Sequence, residues 1–343
     1  MVVNGGGSVI VRLSKGGYLT AERGVAVPWQ SYAEMESVVL LAADAQATLV
    51  NPGQPGIQVA PGSPVVDDDG ARQAVLAFPS DTTASMTLAN GTQVAFGSLH
   101  VRITEITVGA SGPAAMPAPL PATSAYTYAV SYTVDEAVTS GGASVRFSKP
   151  IYHYSENFIG FPVGGNVPSA YYDEATHRWV PSTDGRVIKV LEVAGSQALV
   201  DVDGAGLPAD ATVLAQMNFT AEELGMLAGR YAPGTTLWRV PISHFSTWDF
   251  NWPWCWAPGA SNPNASPSSG PSTSGPTMSC GSIIENENQV VGERVALPGT
   301  PFSLNYRSNR TPGYKAANEL FVKLTGATTP PTLSAGGMVP ESS

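Results

Sequence analysis

The sequence predicts an all-β chain: tandem β-sandwich-like modules, one short helix at about 221–231, and a Pro/Ser/Gly-rich linker. Three observations carry this. Glycine (36) and proline (29) are spread along all 343 residues and together reach about a fifth of them, against roughly 12% in average usage. Apolar runs are short and are cut by turn clusters, which suits many strands and few long helices. The clearest run, Tyr126–Val134, puts Tyr126, Tyr128, Val130, Tyr132 and Val134 on one face and Thr127, Ala129, Ser131 and Thr133 on the other. Only a strand has that period of two.

The elements follow in order. SVIVRL (8–13) alternates, with Ser8, Ile10 and Arg12 on one face and Val9, Val11 and Leu13 on the other; Lys15-Gly16-Gly17-Tyr18 turns into a second strand. From about 37 to 135 the runs Val38–Ala43, Gln73–Phe78, Val101–Val108 and Tyr126–Val134 alternate with breakers at Asn51-Pro-Gly, Asp67-Asp-Asp-Gly, Asn90-Gly and Gly112–Pro121. Tyr171–Pro181 reads as a hairpin with an Asp-led loop, followed by strands at Val187–Val193 and Ala198–Val202. Thr220-Ala-Glu-Glu223 is a capping box: the Thr220 hydroxyl accepts from the Glu223 amide while that carboxylate reaches back. Leu224, Leu227, Ala228 and Tyr231 then share a helical face, and Pro233-Gly234 ends it. Residues 257–279 are small, polar and proline-rich, the composition of a linker. Strands are expected again near 289–294, 302–307 and 319–324. The expected boundaries are 1–45, 46–135, 136–256, 257–279 and 280–343.

Charge and composition exclude several functions. A net charge of −10 opposes general binding to nucleic acid, which needs a basic face to displace counterions. The longest apolar run, Val38–Ala43, falls far short of the roughly 20 residues of a membrane helix, so membrane insertion is not expected. The first residues carry no basic n-region and no apolar h-region, so no signal peptide is visible. Two cysteines make neither a disulfide scaffold nor a zinc site. G-x-S-x-G, H-E-x-x-H, C-x-x-C and the phosphate-cradling G-x-x-x-x-G-K are all missing. The histidines, His100, His153, His177 and His244, are scattered over strand and turn positions. The expectation is a non-enzyme with no cofactor.

Three stretches carry a family resemblance. Residues 7–41 (GSVIVRLSKGGYLTAERGVAVPWQSYAEMESVVLL) resemble the end of the carboxypeptidase-regulatory-like, transthyretin-like module of bacterial YD-repeat proteins. Residues 151–191 with 237–254 are similar to the long pre-shell region of those proteins. Residues 280–326, with PGTPFSLNYRS followed by PGYK, resemble the start of the fibronectin-like plug of teneurins and bacterial YD-repeat proteins. The group is the rearrangement-hotspot (Rhs), YD-repeat and teneurin-like family. The chain departs from it at Asn286, where relatives usually have Cys, and the tyrosine-aspartate repeats of the shell are not in it.

The resemblance implies an N-terminal β-rich region, then a plug, then a large β-shell that in toxin members encapsulates a C-terminal toxin. On that footing residues 1–45 are a truncated regulatory-like module, 136–256 a pre-shell region and 280–343 a truncated plug. The implied role is a non-catalytic scaffold region of a secreted or cell-surface protein. Its implied partner is the YD-repeat shell of the same polypeptide.

Four features remain as candidate sites. Asp201-Val-Asp203-Gly-Ala205-Gly206 has the look of a calcium loop, but Ala205 lacks a ligand and Thr212 stands where a closing Glu would be. A polar turn is the expectation, with calcium no tighter than millimolar. Trp248, Trp252, Trp254 and Trp256 form an aromatic row. Exposed, it would stack on sugar rings or anchor a cell-surface protein, which makes a secreted glycan-binding or adhesive protein the alternative reading. Buried, it would staple the strand end to its own sheet, and this is the expectation. Cys255 and Cys280 flank the linker; a disulfide there would close a loop of about 26 residues and stabilise by roughly 3.5 kcal/mol. Asp67–Asp69 and Glu285–Glu287 read as solvated turn charges.

Overall fold

A computed structural model describes residues 6–29, 32–35, 37–88, 91–107, 112–120, 127–140, 144–251, 292–296 and 303–307. The chain divides into two compact units, Met1–Pro121 with Tyr126–Pro253, and Ala122–Ala125 with Trp254–Ser343. In the first unit the strands are β1 (Gly7–Leu13), β2 (Ala21–Val27), β3 (Thr48–Val50), β4 (Gln58–Pro61), β5 (Val65–Asp67), β6 (Gly70–Arg72), β7 (Val75–Phe78), β8 (Ala84–Thr87), β9 (Gln93–Ala95), β10 (Leu99–Glu105) and β11 (Tyr128–Val134). They continue with β12 (Ser144–Glu156), β13 (Asn166–Val167), β14 (Ser169–Asp173), β15 (Arg178–Pro181), β16 (Gly185–Ala194), β17 (Gln197–Asp201), β18 (Thr236–Phe245) and β19 (Thr247–Phe250). Short helices are α1 (Gly112–Ala115), α2 (Asp135–Ser140), α3 (Ala211–Gln216) and α4 (Ala221–Arg230). The second unit contributes the antiparallel pair β20 (Gly292–Ala296) and β21 (Ser303–Arg307).

The protein is thus mostly antiparallel β, as its turn-rich composition predicts. A six-stranded sheet runs β15-β14-β19-β11-β10-β3, and a nine-stranded sheet runs β13-β16-β18-β12-β7-β4 with β17, β8 and β9 attached at its sides. Tyr128, Val130, Tyr132, Trp248 and Phe250 of the first sheet meet Leu76, Ile151, Trp238, Val240 and Ile242 of the second in one buried core. The alternation along β18 explains the third layer. Trp238, Val240 and Ile242 point into the sandwich, while Leu237 faces a second core with Tyr152, Tyr154, Ile188, Leu224 and Leu227. That second core lies under α4, so the larger sheet is buried on both faces, which its near-continuous apolar strands require.

Several expectations need correction. The helix at 221–231 is present as α4, but among the described residues three further short helices accompany it. The run Val38–Ala43 forms no strand; it is extended chain, fixed by the bonds Leu19 N–H to Leu41 O (2.8 Å) and Ala43 N–H to Gly17 O (2.9 Å). The boundary at 135 does not separate two sandwiches: β11 pairs with β19, and β12 pairs with both β7 and β18. Residues 46–135 and 136–256 therefore share both sheets. The physical reason is that the strands of either half alone leave apolar faces with no second sheet to cover them.

The capping box is half formed. The Thr220 hydroxyl accepts from the Glu223 amide at 3.1 Å, but the Glu223 carboxylate turns inward. It accepts from Arg239 Nε (2.8 Å) and Nη2 (3.0 Å), and from the Tyr154 hydroxyl. The Arg239 guanidinium lies between the rings of Tyr152 and Phe219, 3.6 and 3.9 Å from their centroids. Opposite charge available inside the layer outcompetes the solvent-side amide of the cap.

Candidate functional site

The described residues hold a carboxylate–imidazole–phenol cluster where β2 meets the β14–β15 hairpin. The hairpin forms because Asp173 opens its loop, accepting from the Ala175 amide (3.0 Å) and the Thr176 hydroxyl (2.8 Å). The loop closes with His177 in the left-handed region, φ 56°, a conformation uncommon for non-glycine residues but visited more often by asparagine, aspartate and histidine than by others. A side-chain contact accompanies it. Glu22 of β2 is only 2% exposed, and its Oε2 lies 2.7 Å from His177 Nδ1 and accepts from the Tyr172 hydroxyl at 2.6 Å. Arg12 Nη1 stands 3.5 Å from the other Glu22 oxygen, and Arg12 also donates to Glu174 at 2.6 Å. Burial beside the Glu22 carboxylate pushes the Tyr172 phenol well above its ordinary value. The phenol therefore stays a donor.

Chemically, such a carboxylate fixes the imidazole's orientation and leaves its other nitrogen to act as a base or ligand. His177 is 39% exposed at its side chain, so that edge is reachable. Among the described residues no three His, Cys, Asp or Glu side chains group as metal ligands. What the cluster does visibly is fasten β2. The neighbouring Arg23, also buried, works the other side: its guanidinium donates to the carbonyls of Ala114 (3.1 Å) and Met116 (3.1 Å). Two adjacent buried charges of opposite sign thus anchor the base of the β1–β2 ribbon in opposite directions. Glu22 and His177 are 155 residues apart, and neither sits in a motif, so periodicity and spacing carry no signal for the pair.

The sites expected from sequence fare differently. Trp248 lies in β19, fully buried in the sandwich among Tyr171, His244 and Phe250, with ring centroids 5.5, 5.4 and 6.3 Å away. The expected buried reading holds for Trp248, and its alternative use as a glycan or partner contact is corrected: a strand at the centre of a sheet inside a sandwich has no solvent face at that position. Trp252, Trp254 and Trp256 lie outside the described residues, as do Cys255 and Cys280 with the disulfide considered between them, Glu285–Glu287 and the strand expected at 319–324.

Asp201 is 2% exposed, and its carboxylate accepts from the amides of Asp203 (3.1 Å), Gly204 (2.8 Å) and Gly206 (2.8 Å). Burial pulls its pKa up, but those three donors outweigh it and hold the group below the usual carboxylate range. The loop packs so closely on 163–164 that a Cβ on Gly164 would stand 2.3 Å from the Asp203 carbonyl carbon. This is the polar turn of the sequence reading, with the carboxylate turned onto its own backbone.

Asp67 departs from the solvated-turn expectation. Both its oxygens accept from Arg72 at 2.8 Å, and Arg72 also donates to Glu105 at 2.7 Å through Nε. Burial raises the Glu105 pKa despite that cation.

Among the described residues no helix is long and apolar enough to cross a membrane. Compared with protein-family models, with curated proteins and with solved structures, the chain matches none of them.

Proposed function

We propose that the chain is a non-catalytic scaffold, the β-rich front region of a secreted or cell-surface YD-repeat (Rhs/teneurin-like) protein, which presents or plugs a β-shell. The family resemblance suggests this role. The observation that supports a scaffold over an enzyme or a lectin is where the chemically capable side chains go. Trp248 fills the core, Asp201 binds its own loop, and Glu22, His177, Arg23 and Arg239 hold elements together. A glycan-binding surface needs coplanar exposed indoles, and Trp248 is unavailable for one.

The experiment is a paired binding assay on the full chain. A purified YD-repeat shell segment should be retained by the immobilised chain, and a glycan array should give no signal above background. Retention of sugars without retention of the shell would overturn the reading in favour of the adhesive alternative.

A further inference from the structure

β1 and β2 form a two-stranded sheet that, among the described residues, no third strand joins. β1 is seven residues long, and among the described residues no backbone hydrogen bond reaches its outer edge. Natural sheets guard such edges by keeping them short, by ending them in proline, by bulges or by free charge. Several other edges of this unit are guarded in these ways: β3 and β9 have three residues each, β13 has two, and β4 and β15 end in Pro61 and Pro181. β1 has no proline and no bulge, its register running unbroken from Gly7↔Val27 to Leu13↔Ala21. Its single charge, Arg12, is held by Glu22 and Glu174. Ile10, at its middle, is 45% exposed.

The centre of this edge, Val9-Ile10-Val11, reads alike in both directions. About Ile10, a two-fold rotation sets Val9 against Val11, Ile10 against Ile10 and Arg12 against Ser8, so no like charges meet. The rotation also keeps Val9, Val11 and Leu13 on a common face with Val25 and Val27 of β2. An arbitrary strand would offer the backbone bonds alone; a second copy of this chain offers the bonds and the matching face. The ribbon is presented from a fixed base, because Glu22 and Arg23 anchor β2, and ordering costs on pairing are correspondingly small.

We propose that β1 is a homodimerisation edge: it pairs antiparallel with β1 of a second copy, centred on Ile10, to make a continuous four-stranded sheet. The inference goes beyond the scaffold reading and does not need it. One seven-residue strand falls short of the roughly 1,200 Å² of a standard interface, so the dimer should be reversible, with Kd of about 10–100 μM.

Sedimentation equilibrium on the full chain tests this, over concentrations spanning that Kd. The weight-average mass should climb from 35.6 kDa toward twice that value. Ile10→Lys should remain monomeric throughout, as should Ile10→Glu, because each places like charges opposite one another. Mixing the two variants in equal amounts should restore association. Ile10 is half-exposed and pairs with Gly24, so both variants should keep the wild-type melting temperature. Hydrogen exchange on the wild type provides a readout that requires no variant: amides 7–13 should gain protection as concentration rises. A wild type that stays monomeric, an Ile10→Lys variant that associates as the wild type does, a mixture no better than its parts, or concentration-independent exchange in β1 would each overturn the proposal.

Discussion

His153 lies sealed between the two sheets, fully buried, with Tyr132 Oη 2.8 Å from its Nδ1 and the rings of Tyr128 and Phe250 around it. Burial alone lowers its pKa from 6.5 to about 3. Below 6.5 the unfolded chain therefore binds a proton that the folded chain refuses, and stability falls as pH falls. The loss is about 1.4 kcal/mol per unit, or about 2 kcal/mol at pH 5. Urea denaturation from pH 7.5 to 4 should show this slope, and His153→Gln should flatten it by one proton. Asp201 makes the opposite case, an ionised group held by donors. Asp201→Ala strips three partly buried amides of their acceptor and should cost about 1–3 kcal/mol in the same assay. Micromolar calcium should leave the melting temperature unchanged, since the carboxylate is turned onto its own loop. A clear upward shift would show that the loop reorganises around the ion. The turn at Asp201 was legible because aspartate and glycine are local turn formers. The burial of Trp248 agrees with the expected reading, although the row alone left an exposed alternative open, because aromatic rows look alike whether they face water or a second sheet.

At the scale of elements, periodicity proved the dependable guide. β11 and α4 lie where a period of two and a capping box place them. Helices α2 and α3 are six residues each, too short for an apolar stripe to register; α3 left one clue, its N-cap Asp210, which accepts from the Val213 amide at 2.8 Å. The inward turn of Glu223 was invisible because its partner Arg239 lies sixteen residues on, in strand β18. Its energetics separate the two halves of the expected box. Thr220→Ala removes an exposed cap and should cost about 1 kcal/mol. Glu223→Ala leaves the Arg239 guanidinium buried and unpaired and should cost about 3–5 kcal/mol. A thermal-melt comparison suffices, and similar losses in the two variants would mean that the buried ion pair adds nothing to the cap.

For the whole molecule, the consequential fact is that both sheets take strands from either side of residue 135. A boundary drawn there follows the local order of runs and breakers, whereas sheet membership is decided by distant pairing partners such as Tyr128↔Phe250 and Tyr152↔Ala77. The prediction is plain. Residues 46–135 made alone should show no cooperative thermal transition, because β11 lacks β19 and β7 lacks β12. The described first unit should instead unfold in one step within the full chain, with near- and far-ultraviolet circular dichroism changing together.

The place of β19 in that weave sets a clock on biosynthesis. It is the final strand of the first unit, yet it sits between β14 and β11. When β11 leaves the ribosome, its neighbour on that side has not been made. With synthesis at about 5–20 residues per second, the wait for Thr247–Phe250 is on the order of 5–25 s. Throughout it the tyrosine-lined face of β11 has no closed sandwich to shelter it. Slow translation between residues 135 and 246 should therefore lower the soluble yield, and a chaperone that holds apolar strands should restore it.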